Sequence, residues 1–381
     1  MRRCDELGAI SEEPGRLSRT FASPAMREAN TLVGAWMRDA GLQVREDAAF
    51  NLLGRWNSPK HGAKTLLLGS HLDTVRDAGK YDGPLGVLTA IAAVQLLRER
   101  GVTLPFNLEI VGFSDEEGVR YQTTYLGSRA LAGTLTAADL ALIEEKQIVK
   151  ARRRRDEFLG YAEVHIEQGP VLEKNNLPIG VVTAIAGQSR LRVELEGVAG
   201  HAGTVPMDLR HDALAGAAEL ILAVEKCGVL ATVGKMEVMP GASNVIPGKV
   251  SLTLDVRHQS DARREAAVRS LRVKAGVMAK RRGLKLVWTP VQQTAAVRCD
   301  NKLTQIFSQC VARRGLKLLK LPSGAGHDAV ALAAICPVAM LFMRCRGGIS
   351  HNPAESVKTS DLGPAIGVLA DFIQTLATRH A

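Results

Sequence analysis

Aromatic residues are scarce in this chain. Only 4% of its 381 residues are Phe, Trp or Tyr, too few for the stacking platforms on which nucleic-acid bases are held. The six cysteines (Cys4, Cys227, Cys299, Cys310, Cys336 and Cys345) include no Cys-x-x-Cys pair and lie in or beside apolar segments. That usage fits reduced thiols in a cytosolic protein. The opening MRRCDELGAISEEPG carries acids where a secretory leader needs an apolar core. Long apolar runs are absent too: the longest uncharged one, AVALAAICPVAMLFM, is too short for a bilayer and is broken by Pro337. A soluble cytoplasmic protein is expected, with no nucleic-acid and no membrane partner. The formal net charge of +10 does not change this, because the excess is scattered. Its one dense run, ARRRRDEF at 151–158, contains Asp156 and Glu157 and reads as a solvated helix or loop.

What is present is ordinary globular material, 46% hydrophobic and 23% charged, long enough for two domains. From about 64 to 187, short apolar runs such as TLLLGSH and LEIVGF read as buried parallel strands. They alternate with helical stretches such as PLGVLTAIAAVQLLRER. The character then changes. RLRVELEGV and KVSLTLDVRH alternate strictly, which predicts a sheet with one wet face. The predicted pieces are strand 190–197, helix 208–226, strands 231–239 and 249–257, helix 261–282 and strand 284–289. This βαββαβ order is ferredoxin-like and able to fold as an insertion. LKLLKL, a helix from about Asp328, VAMLFM and a last helix at about 359–379 return to the first pattern. The expected fold class is therefore α/β. One domain (1–187 and 297–381) is expected to have a mostly parallel mixed sheet flanked by helices, with an inserted domain at 188–296.

The stretch VGFSDEEGVR places Asp115, Glu116 and Glu117 side by side at a strand end. Adjacent carboxylates repel one another, and in a cleft each needs a partner to stay ionised. Other polar groups fall at the same kind of position. His71 and Asp73 follow TLLLGS, Asp82 stands between that strand and the next helix, His165 ends YAEVH, and His351 follows the last predicted strand. In open α/β sheets the carboxyl ends of the strands share one crevice. Imidazole with carboxylate suits zinc, manganese or cobalt, and a bridging carboxylate allows two ions in one site.

The motifs GSHLDTV, DGPLGV, DEEGVR, HIEQGP, AGHAGTVPM, SNVIPG, SGAGHDA and GISHNPAE resemble the dinuclear metallohydrolases of the M20 peptidase superfamily. The branch resembled contains allantoate amidohydrolase, N-carbamoyl-L-amino-acid hydrolase and β-ureidopropionase. The resemblance implies two divalent ions, Zn²⁺ or Mn²⁺, with Co²⁺ or Ni²⁺ as alternatives. His71, His165 and the bridging Asp82 would hold one; Glu117, His351 and the same Asp82 would hold the other. Glu116 would be the general base and Asp73 would orient His71. His201 would polarise the oxyanion, Asn244 and Arg257 would grip a substrate carboxylate, and Gln168 and His327 would complete the pocket. Strand alternation independently places Arg257 on the open face, opposite Val250, Leu252, Leu254 and Val256. A histidine at 165, where the peptidase and deacylase branches typically carry an acid, points to a small ureido carboxylate as substrate. An aminoacylase or dipeptidase is the alternative. The resemblance also implies a homodimer formed through the inserted domain, and closure of the two domains about hinges near Gly187 and residue 296. The basic run and VQQTAAVRCD depart from the family pattern without touching a proposed ligand.

Overall fold

The strands Thr65–His71, Asn107–Phe113 and Val338–Met343 are buried at every position, and Phe158–Ile166 at all but one. Continuous apolar runs of this kind belong to parallel strands covered on both faces. In the computed structural model, which describes residues 1–380, they form the centre of one sheet. Its order runs Gln43–Glu46, Leu52–Trp56, Asn107–Phe113, Thr65–His71, Phe158–Ile166, Val338–Met343 and Ile179–Ile185, and the short strands Val297–Arg298 and Lys320–Ser323 both pair with the last of these. Along the first seven, the three central pairings are parallel and the outer ones antiparallel. Helices Pro84–Glu99, Asn301–Arg313 and Thr359–His380 contribute Ile91, Phe307 and Phe372 to the same core as the sheet residues Leu68 and Leu341. Pro84–Glu99 approaches the sheet closely because residue 86 is glycine. A Cβ there would lie 2.0 Å from the Val164 carbonyl oxygen.

This material forms one compact unit, Met1–Thr183 with the chain from Cys299 onward; Ala184–Arg298 forms a second. In the second, Lys285–Thr294, Gly187–Glu196, Lys249–His258 and Leu230–Met239 lie in that order, all antiparallel. By strand sequence the order is 4-1-3-2. The alternation seen in the sequence is structural: Leu191, Val193, Leu195, Val250, Leu252, Leu254 and Val256 are buried in one cluster with Ala217, Leu220 and Leu271 from the two helices. The first helix, Ala213–Glu225, starts later than the predicted 208 because Asp212 caps it, accepting from the Leu214 and Ala215 amides at 2.9 and 3.0 Å. The last strand runs beyond 289 because an edge position tolerates Pro290. Where the second unit begins and ends, Ala184–Ile185 pairs antiparallel with Val297–Arg298, and the Cys299 amide donates to the Thr183 carbonyl at 3.0 Å.

Three local readings change. LKLLKL yields a strand only at Lys320–Ser323, and the helix expected from Asp328 is a single turn, Ala329–Leu332. The basic run is not simply solvated. Arg153 reaches back to Glu109, a fully buried acid inside Asn107–Phe113 that also meets Arg55 at 3.1 Å. A buried carboxylate needs such partners, so one arginine of the run is part of the fold; Arg154 pairs locally with Asp156. The last helix is anchored at its first turn, where Asp361 receives Arg344 Nε and Nη2, both at 2.8 Å. Arg344 also donates to Asn176 Oδ1 at 3.1 Å. All six cysteines are free thiols. Among the described residues no helix is long and apolar enough to cross a membrane.

Candidate metal centre

His71 is the last residue of its strand, and its Nδ1 lies 3.0 Å from the Asp73 carbonyl oxygen. A carbonyl only accepts, so Nδ1 carries a proton and Nε2 is the nitrogen left for an ion. His165 is held in the same tautomer by the Ile166 carbonyl at 2.9 Å, leaving its Nε2 3.2 Å from Asp82 Oδ1. On the other side of Asp82, His351 Nε2 lies 3.1 Å from Asp82 Oδ2 and 3.1 Å from Glu117 Oε1. Two triads result, His71–Asp82–His165 and Asp82–Glu117–His351, each with its ligand atoms within 4.8 Å of one another. Asp82 belongs to both. Its Oδ1 is buried and has no hydrogen-bond partner, an orphaned acceptor of the kind a cation satisfies. Nitrogen and oxygen donors in this mixture fit a divalent ion such as Zn²⁺ or Mn²⁺. Gly83 lets the Asp82 turn approach this closely: its φ is +79°, and a Cβ would lie 2.4 Å from the His71 ring.

The acid triplet divides into three roles by geometry. Glu117 faces His351. Glu116 joins His71 and Glu117 in a third close grouping, and burial raises its carboxyl well above the ordinary range. Asp115 adopts a left-handed conformation with φ of +53° and is buried with no hydrogen-bond partner for either oxygen. Burial, reinforced by the Asp73 charge, pushes it up to about 8.

Asp73 lies against His71, as expected, and does more besides. The shorter bond to His71 comes from its backbone carbonyl; its carboxylate stands 3.5 Å from His71 Nδ1. That carboxylate also accepts from the Glu116 amide at 3.0 Å and the Glu117 amide at 3.2 Å, clamping the acid pair to the neighbouring strand end. Behind it the fully buried Arg19 donates to the Leu72 carbonyl at 2.7 Å and to the Leu7 and Ile10 carbonyls. Burial pulls its pKa down to about 10, so it remains a cation at neutral pH.

The residues expected around substrate are placed as follows. Gln168, at φ +56°, donates to Asp82 Oδ2 at 3.0 Å and to Ser350 Oγ at 3.2 Å, so it touches the shared ligand. His327 is buried with its ring centroid 4.5 Å from that of His165 and Nε2 2.8 Å from Ser323 Oγ; burial drives its pKa far down, leaving it neutral. In the second unit, His201 lies on a two-stranded ribbon, paired with Val245, and Asn244 is in the turn just before that strand, its carbonyl accepting from the Ala202 amide at 2.9 Å. The Gly203 amide donates to His201 Nδ1 at 3.0 Å, which puts that imidazole's proton on Nε2. Arg257 forms a two-pronged contact with Asp255, Nε and Nη2 each at 3.0 Å, and lines a cavity of about 540 Å³ with Arg190, Thr232 and Thr253. Arg19, Ser350 and Glu355 escaped the sequence reading. Only Glu355 carried a signal, lying four residues after His351.

The proton inventory gives a pH prediction. Hydrogen bonds from Asp82 and Glu117 raise His351 to about 10. Burial opposes a charge on His71, yet the carboxylates of Asp73, Glu116 and Asp82 hold its pKa well above normal; burial takes His165 down to about 4. The ion-free protein therefore keeps protons on His351 and His71 at neutral pH, and an ion must displace them. Mn²⁺ affinity is expected to rise with pH up to about 10, with release of about one to two protons per chain at pH 7.5. Calorimetry in buffers of different ionisation enthalpy measures this, and affinity independent of pH between 6 and 9 would contradict it.

A model of the peptidase family M20/M25/M40 matches residues 67–375. The chain is 39% identical to allantoate deiminase 1 of Glycine max, over 98% of this chain and 88% of that protein. It is 38% identical to the N-carbamoyl-L-amino acid amidohydrolase of Geobacillus stearothermophilus, covering 98% and 97%. Among solved structures, an amidase of the hydantoinase/carbamoylase family from Burkholderia multivorans superposes with a TM-score of 0.93 at 30% identity, over 99% of this chain and 96% of that one.

Proposed function

The chain belongs to peptidase family M20/M25/M40, and on that premise we propose that it hydrolyses a ureido C–N bond of allantoate or an N-carbamoyl-L-amino acid. The observation that carries the reading is Asp82 flanked by His71 and His165 on one side and by Glu117 and His351 on the other. Divalent ions, Zn²⁺ or Mn²⁺, held by the two triads would acidify a water and polarise the ureido carbonyl.

The chain's own groups supply the rest. Glu116 takes the proton of the attacking water and returns it to the departing nitrogen; its burial gives the carboxyl the proton affinity this needs. The Asp73 clamp on the Glu116 and Glu117 amides keeps one glutamate for the ion and its neighbour for the proton. His201, with its proton on Nε2, donates to the oxygen on which charge develops. Arg257 holds the substrate carboxylate as a fork, exchanging it for Asp255. We place the enzyme in the cytoplasm, in keeping with its free thiols. We infer a homodimer through residues 184–298, where the edge strand Leu230–Met239 leaves one side of its ladder unpaired and exposes Leu230, Met236 and Met239.

Ammonia release from allantoate, N-carbamoyl-L-alanine and N-carbamoyl-β-alanine, on metal-stripped protein with Mn²⁺ or Zn²⁺ restored, tests the proposal. Ion-dependent turnover of one of the three is expected. Inactivity on all three, with hydrolysis of N-acyl amino acids or dipeptides, would replace it by the aminoacylase or dipeptidase reading.

A further inference from the structure

Asp82 sits in an irregular turn, between the strand Thr65–His71 and the helix Pro84–Glu99, where no ladder takes up its backbone amides. An acceptor 273 residues downstream does so. Glu355 Oε1 accepts from the Tyr81 amide at 2.8 Å and from the Asp82 amide at 3.1 Å. Glu355 is 4% exposed and fits there because residue 79 is glycine; a Cβ at 79 would lie 2.3 Å from Oε1. Its second oxygen meets the Ser350 hydroxyl at 3.1 Å, and that hydroxyl lies 2.8 Å from Asp82 Oδ2. Gln168 Nε2 donates to both Asp82 Oδ2 and Ser350 Oγ.

We propose that Glu355 is a positioning residue for Asp82: through two backbone amides and the Ser350 hydroxyl it fixes the one carboxylate that both ligand triads share. This rests on the metal-centre reading given above. A shared ligand has to be placed for two ions at once, so slack in its backbone degrades both triads together. Glu355 also ties the turn of Asp82 to the loop of His351, two ligands of one triad that are far apart in sequence. Outer partners of this kind typically contribute about 10–100-fold to ion affinity or activity. The role needs an acceptor at the two amides and a polar partner at Ser350 rather than a charge. A glutamine keeps an oxygen for the Tyr81 and Asp82 amides, and its NH₂ group can donate to Ser350 Oγ while the hydroxyl proton goes to Asp82.

The test is equilibrium dialysis of Mn²⁺ with metal-stripped full-length protein, with kcat and KM measured after reloading. Glu355→Ala is expected to weaken Mn²⁺ binding by about 10–100-fold and to lower kcat with KM little changed, while Glu355→Gln stays within about threefold of wild type. Wild-type affinity in Glu355→Ala overturns the proposal, and so does a Glu355→Gln as impaired as Glu355→Ala. Should Glu355→Ala lack a cooperative melt, Ser350→Ala decides: a loss of affinity supports the proposal and wild-type affinity overturns it. Failure of the wild-type protein itself to bind Mn²⁺ would sink the metal-centre reading, and this proposal with it, and is visible in a separate arm.

Discussion

Glu116→Gln is expected to lower turnover by about 10²–10⁴-fold, the range for loss of a general base, while Mn²⁺ uptake stays within about threefold of wild type because Glu116 lies outside both triads that share Asp82. The substitution is close to isosteric. The Glu116 amide still donates to Asp73, and the carbonyl of residue 116 still accepts from Tyr125 at 2.9 Å. What disappears is one proton acceptor beside His71, so kcat should fall and KM should barely move. Glu117→Gln offers the contrast. Glu117 faces His351 at 3.1 Å, so its loss should show first as weaker ion binding. If Glu116→Gln bound Mn²⁺ poorly and recovered full activity at high Mn²⁺, the two glutamates would have been assigned in reverse.

The largest stability effect is expected from Asp361→Ala, about 3–5 kcal/mol, because the Arg344 guanidinium would remain buried with its charge uncompensated. Arg344 is 7% exposed and Asp361 2%, and the two are joined through both carboxylate oxygens. The pair ties the first turn of the last helix to the chain just past Val338–Met343, the strand that leads into the His351 loop. Arg344→Met combined with Asp361→Leu should recover most of the loss, since replacing both partners of a buried pair by apolar groups is often neutral. Urea titration of the three variants against wild type measures it. A single variant destabilised by less than about 1 kcal/mol would mean that water reaches the pair and screens it.

How far the chain could be read before its structure depended on which atoms were involved. Side-chain periodicity placed the central strands and all four strands of the inserted unit. Polar residues at the ends of apolar runs marked His71, Asp82, Glu116, Glu117, His165 and His351, which the fold does bring together. The readings that changed involve backbone atoms or long reach. Asp73 was expected to orient His71, and it does lie against that ring, but nothing in the sequence showed that its carboxylate also binds two amides 43 and 44 residues away. The ARRRR run looked solvated because nothing in its neighbourhood shows that Glu109 is buried and within reach of Arg153. The helix start at 213 was hidden because Asp212 acts as a cap only once the preceding residues turn. Arg19 gave no signal at all, since its partners are carbonyl oxygens, which every residue has.

The pairing of Ala184–Ile185 with Val297–Arg298 bears on the order in which the molecule folds. Val338–Met343 must slot between Phe158–Ile166 and Ile179–Ile185, and the whole inserted unit intervenes along the chain. Left unfolded, that insert is a long floppy loop; folded, its ends are stapled side by side and it acts as a tight turn. Shortening a loop of about a hundred residues to an effective handful is roughly four to five doublings, worth about 3 kcal/mol of closure entropy. Early collapse of the 4-1-3-2 sheet, whose pairings are internal to the insert, would therefore speed completion of the sheet whose strand ends carry the two histidine–carboxylate triads. Mutations that loosen the insert should slow the folding of the unit that contains none of them.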